Sequence, residues 1–80
     1  MTPEDVQQTT FSTVRWSERG YRVLDVDDLL DEIAEALAGR RTLDRQRLMA
    51  DLARSKWFEA GYRAEEVDAF RFRVCREFGF

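Results

Sequence analysis

Apolar positions along this chain fall into helical spacing in three places. From Val23 to Ala38, the residues Val26, Leu29, Leu30, Ile33 and Leu37 share one stripe about 100° wide at the helical period, with every acid of the segment on the other side. Gly39 follows as the stop. From Ala64 to Phe78, Val67, Phe70, Val74 and Phe78 form a second stripe, with Arg71 inside it and Phe72 outside. Between the two, Leu48, Met49, Leu52 and Ala53 mark a narrower apolar face, so a helix over 43–55 with Thr42 as its cap is expected. At the start, Thr2-Pro3-Glu4-Asp5 reads as a helix opening, with Thr as N-cap, Pro at the first helical position and acids next. Phe11, helped by Val6, is expected to tie that short turn to the core, and residues 12–22 read as a loop.

The pattern repeats. WSERGYRVLDVDDLL, from Trp16 to Leu30, returns as WFEAGYRAEEVDAFR from Trp57 to Arg71, at an offset of forty-one residues. Trp16, Glu18, Gly20-Tyr21-Arg22 and Val26-Asp27 meet Trp57, Glu59, Gly61-Tyr62-Arg63 and Val67-Asp68. Each unit reads as an aromatic tip, a Gly suited to positive φ or close backbone approach, a Tyr, and an amphipathic helix with acids in its first turn, where the macrodipole favours them. Tyr21 and Tyr62 are expected to pack with their hydroxyls bonded to backbone; Asp27 and Asp68 read as first-turn helix acids before partner contacts. The repeat divides the chain into a first module, 1–39, and a divergent second copy, 40–80, within one compact domain. The expected fold is all-α: a three-helix domain over 23–38, 43–55 and 64–78, built on the tip-turn-helix repeat. The first two helices are expected to pair antiparallel. The third would then pack beside the first, where a second subunit's helix would otherwise sit.

Charge sharpens this picture. The net charge is −3, but residues 23–38 carry six acids and no base, whereas residues 40–56 carry six bases beside Asp44 and Asp51. The blocks are expected to face each other across a helical hairpin. An acidic domain whose bases are interleaved with carboxylates is a poor nucleic-acid binder. The chain has no histidine, no metal-ligand cluster, no glycine-rich phosphate loop and no nucleophile with a base beside it, so neither an enzyme nor a cofactor is expected. Cys75, at the edge of its stripe, reads as a small buried hydrophobe. No apolar run approaches the roughly 20 residues of a membrane span, and the first residues are not a basic-then-apolar leader, so the expected address is the cytoplasm. A chain of 80 residues buries only about 60% of the surface its unfolded form exposes, which favours self-association or a partner.

One resemblance adds to this reading. Thr2-Pro3-Glu4-Asp5-Val6, Phe11, Arg19-Gly20-Tyr21 and Asp25-Val26-Asp27-Asp28-Leu29-Leu30-Asp31 stand in an order and spacing that resemble the N-terminal domain of DivIVA-like proteins, in the actinobacterial form with its longer loop. Ala60-Gly61-Tyr62 and Glu66-Val67-Asp68-Ala69-Phe70 match the same core words less completely, without a clean TPxDV start. The resemblance implies a non-enzymatic scaffold of polar growth and cell division, dimeric through a short coiled coil. It also implies contact with concave anionic membrane through the loop before RGY, at Arg15, Trp16 and Arg19.

Two functions follow as expectations. In the first, the chain is a small interaction module that binds or modulates a DivIVA-family scaffold, its own or a host's, in a bacterial cell or from a phage. The acidic face of Asp25, Asp28, Asp31, Glu32 and Glu35 would select the partner. In the second, the chain is itself a scaffold at the inner face of the membrane at pole or septum, touching lipid through the Trp16 loop and a second tip at Lys56, Trp57 and Phe58. The helix that ends at Gly39, with no long coiled coil after it, favours the first. Val26, Leu29, Leu30, Ile33, Leu37, Val67, Phe70 and Val74 are the expected core or dimer seam, in a monomer or a homodimer. Trp16 is open between exposure and burial, and Trp57-Phe58 are expected to be buried.

Overall fold

A computed structural model describes residues 1–14, 19–56 and 59–80. The expected tips at Arg15-Trp16 and Trp57-Phe58 lie outside the described residues. The element order is α1 (Pro3–Gln7), β1 (Thr13–Val14), β2 (Tyr21–Arg22), α2 (Val23–Leu37), α3 (Arg45–Leu48), β3 (Gly61–Tyr62) and α4 (Ala64–Phe78). The all-α expectation is therefore overturned: among the described residues, four helices stand with a three-stranded antiparallel sheet in the order β1-β3-β2. The strands are two residues long, too short to show alternation, and they pair across the repeat rather than within it.

The two long helices are each 15 residues and start forty-one residues apart, as the periodicity requires. Each begins directly off a strand, with no side-chain cap on Arg22 or Arg63. Gly39, at φ 77°, ends the first, and Arg40 N donates to Glu35 O at 2.9 Å. Gly79, at φ 73°, ends the second, and Phe80 N donates to Cys75 O at 2.9 Å. Both are the Schellman closure that a residue free to adopt positive φ permits.

The expected helix over 43–55 is only the single turn of α3, capped by Asp44 rather than Thr42, with Arg47 N donating to Asp44 Oδ1 at 2.7 Å. The turn stops for a visible reason. The carbonyls of Leu48 and Ala50, which a continuing helix would use four residues on, accept instead from Arg71 Nη1 at 3.3 and 2.8 Å. Residues 53–55 are drawn out to flank β2: Arg22 N donates to Ala53 O, and Ser55 N donates to Gly20 O, both at 2.8 Å.

At the other end, Thr2 and Asp5 form a capping box at the head of α1. Val6 is fully buried and so is Leu48, each four residues past its helix cap, which makes Val6 the anchor and Phe11 the half-buried partner. Phe11 packs its ring on Tyr62 at 5.5 Å and on Phe70 at 5.8 Å. The main core joins Val6, Leu29, Ile33, Leu48, Phe70 and Val74, and Tyr21, Val26 and Val67 form a second cluster. Leu30 and Leu37 of the expected seam are only half-buried. Cys75 is buried and unpaired, as a small hydrophobe would be.

Candidate functional site

The site grows from the way the two units interlock. Strand β1 of the first unit pairs with β3 of the second: Thr13 opposes Tyr62 and Arg63 N donates to Ser12 O at 2.8 Å. The segment 53–55 of the second unit returns the contact on β2 of the first, with Tyr21 opposite Arg54. Subtracting forty-one converts one set of partners into the other. The reciprocity extends to side chains. Ser12 N donates to Glu66 Oε1 at 3.0 Å, and its counterpart Ala53 N donates to Asp25 Oδ2 at 3.1 Å. Tyr21 OH donates to Asp68 Oδ1 at 2.9 Å, and Tyr62 OH donates to Asp27 Oδ1 at 3.2 Å. The tyrosine hydroxyls thus meet carboxylates of the opposite unit rather than backbone. The two aspartates read as first-turn acids are the acceptors of that exchange.

A local two-fold axis runs between Tyr21 and Tyr62, where β2 and β3 pair. The glycines beside these tyrosines are what let the strands meet. A Cβ on Gly20 would collide with the carbonyl of Tyr62, and one on Gly61 would lie 2.5 Å from Ser55 Oγ. Neither needs positive φ; both need the close approach. Burial raises both tyrosine pKa values above the ordinary range, and the facing carboxylates of Asp68 and Asp27 add to the effect.

The chain departs from symmetry at Arg71, which stands where the first unit has Leu30. Its side chain is buried, with Nη2 donating to Asp68 Oδ1 at 2.7 Å and to Tyr21 OH at 3.4 Å, and its guanidinium over the Tyr21 ring. Arg54 stacks on the same ring, 4.6 Å from its centroid. Sequence reasoning noticed the substitution and missed its role, because apart from Asp68 the partners, Leu48, Ala50 and Tyr21, lie far along the chain.

Around this frame lie the predicted site residues. Arg19 is exposed and donates from Nε to Ser55 O at 2.9 Å. With Arg54 and Arg63 it lines a cleft of about 300 Å³ beside Gly20. Lys56 is exposed, and its amide donates to Glu59 Oε1 at 3.1 Å. Asp28, Asp31 and Glu35 are exposed on α2, whereas Asp25 and Glu32 are half-buried. The acidic and basic blocks meet in part: Arg47 forks onto Glu32 with both bonds at 2.7 Å, and Arg41 reaches Glu35 at 3.4 Å. The Arg47 fork holds the Glu32 carboxyl below its usual range. Arg40, Arg45 and Arg54 of the basic block form no ion pair with the helix acids among the described residues.

Among the described residues no group of three or more His, Cys, Asp or Glu side chains could hold a metal ion, and no helix is long and apolar enough to cross a membrane. Comparison with protein-family models, curated proteins and solved structures finds no match to this chain.

Proposed function

We propose that this chain is a non-enzymatic interaction module that binds or modulates a DivIVA-like scaffold of polar growth or cell division. The reading is carried by the reciprocal exchange between the two units. Each unit completes its sheet and its tyrosine hydrogen bond only with the other, so one chain has the make-up of a two-subunit assembly. A protein that carries the same words once would offer a matching unit. The exposed acids of α2 supply a charged face by which partners could be told apart.

The test is titration of a fluorescent copy of the chain with the N-terminal segment of a DivIVA-like scaffold. Charge reversal of Asp28, Asp31 and Glu35 together should abolish binding and leave the far-UV circular dichroism unchanged. Binding that survives the triple reversal would show that the acidic face is only solvated.

A second reading, peripheral contact with anionic membrane at pole or septum, is favoured by one feature: the cleft beside Gly20 to which Arg19, Arg54 and Arg63 contribute against the single carboxylate of Glu65. Each arginine near a lipid surface adds roughly 1 kcal/mol of attraction. Co-sedimentation with anionic liposomes, lost in Trp16→Ala, would support it. Equal pelleting of both forms would remove Trp16 from the contact.

A further inference from the structure

The repeat makes a comparison available within one molecule, because α2 and α4 are equivalent by the local two-fold axis. Facing inward they agree in kind, save for Leu30 against Arg71: Val26 with Val67, Asp27 with Asp68, Leu29 with Phe70, Ile33 with Val74. Facing outward they are opposed. Asp28 corresponds to Ala69, Asp31 to Phe72, Glu32 to Arg73 and Glu35 to Arg76. All of these except Glu32 are exposed. One helix therefore shows solvent a face of acids; its equivalent shows two arginines around a phenylalanine that is 56% exposed, with Glu65 at the head of the helix and Glu77 at its end also exposed. Among the described residues, neither Arg73 nor Arg76 forms an ion pair, and neither Asp28 nor Asp31 does. Arg73 also edges a small cleft with Asp5 and Glu77, so Arg76 and Phe72 form the centre of the basic face.

A symmetric pair of units with two acidic faces would repel its own copies. Charge reversal on one face alone converts repulsion into head-to-tail complementarity. We infer that the outer face of α4 docks on the outer face of α2 of a second copy of this chain. Arg73 and Arg76 lie against Asp28, Asp31 and Glu35, and Phe72 packs across the contact beside Leu24, which is 66% exposed at the head of α2. This goes one step past the interaction-module reading, on which it rests, by naming a partner. Because the joined faces are different surfaces of the molecule, a pair of bound copies still offers one free face of each kind. Association then continues past two unless the rotation closes a ring. One helix face is smaller than the ~800 Å² per partner of a standard interface, so the contact is weak and salt-dependent.

The experiment is sedimentation equilibrium of the full chain across a concentration series, at about 0.01 M and about 1 M salt, where the screening length falls from about 30 to about 3 Å. Mass should rise with concentration at low salt and return to that of the monomer at high salt. Two face variants separate the geometries: Arg73→Ala with Arg76→Ala, and Asp28→Asn with Asp31→Asn and Glu35→Gln. All five positions are exposed, and circular dichroism checks that each variant folds. Each variant alone should lose association at least about tenfold, and their equimolar mixture should form a 1:1 dimer that grows no further. A wild type that stays monomeric at low salt would overturn the proposal. So would either variant associating as well as the wild type, or a mixture that stays monomeric. If those results came while the scaffold titration still showed binding, only the second-copy partner would fall.

Discussion

Replacing Arg71 with the residue of the other unit, Arg71→Leu, tests whether the buried guanidinium fastens the second unit. Nη1 donates to the carbonyls of Leu48 and Ala50, and a hydrogen bond involving a charged group contributes about 1.5–3 kcal/mol. The pair with Asp68 adds less, up to about 1 kcal/mol, because that carboxylate is 38% exposed and water screens it. The sum is about 3–7 kcal/mol. Refilling the site with leucine returns about 1.5–3 kcal/mol of apolar burial, for a net loss of about 2–4 kcal/mol. For a chain of 80 residues, whose total stability is about 4–12 kcal/mol, this is a large fraction. Urea unfolding followed by circular dichroism measures it as a lower midpoint at unchanged slope. Arg71→Leu combined with Asp68→Asn should unfold close to Arg71→Leu alone, since the carbonyls rather than the carboxylate carry the cost. An Arg71→Leu protein within about 0.5 kcal/mol of the wild type would refute the reasoning, as would rescue by Asp68→Asn.

Other predictions follow from the same frame. Gly20→Ala should destabilise more than Gly61→Ala, because its Cβ meets the fixed carbonyl of Tyr62 rather than the Ser55 side chain; Gly39→Ala, with open space but φ 77°, should cost only about 1 kcal/mol, all read as urea midpoints. Stability should fall at alkaline pH: the folded-state pKa values of Tyr21 and Tyr62 are raised, so their contribution is full below the ordinary value of 10.0 and is lost as pH rises through the folded values. A double Tyr→Phe variant should lose less stability over that range. At the acid end Glu32 is depressed by the Arg47 fork, so its contribution is full above the ordinary 4.5 and is lost as pH falls through the folded value. Arg47→Ala should flatten that limb of a pH series of melting temperatures.

The long helices were legible because their apolar stripes are local facts of the sequence. Expected over 23–38 and 64–78, they stand at Val23–Leu37 and Ala64–Phe78. The strands were hidden because their partners lie in the other unit, forty or more residues away for β1 and β3. The segment 43–55 differs from expectation because residues distant in sequence, one in its own unit and a strand of the other, claim its backbone. Leu48, Met49 and Leu52 do keep helical spacing, but Arg71 takes the carbonyls that would extend the turn, and β2 takes the backbone of 53–55. Tertiary pairing overrode local preference there. At the candidate site, the acidic face of α2 was visible as a run of charge. The offset of forty-one residues also shows which positions of α2 and α4 are equivalent, but that both outer faces stand exposed takes the structure to show. The DivIVA-like words marked the residues nearest that axis, Gly-Tyr and Val-Asp, without indicating that each tyrosine serves the other unit's aspartate.

The exchange of strands also decides how the molecule can come apart. The amides of Arg22 and Ser55 are bonded across the repeat, and so is that of Arg63. Neither unit can keep these amides protected while its neighbour opens, so no half survives as a separately folded piece. Amide hydrogen exchange at these three positions should occur with a single opening free energy equal to that of global unfolding. What the sequence writes twice therefore behaves as one cooperative unit: cleavage in the turn after Gly39 would leave two fragments that fold only in each other's company.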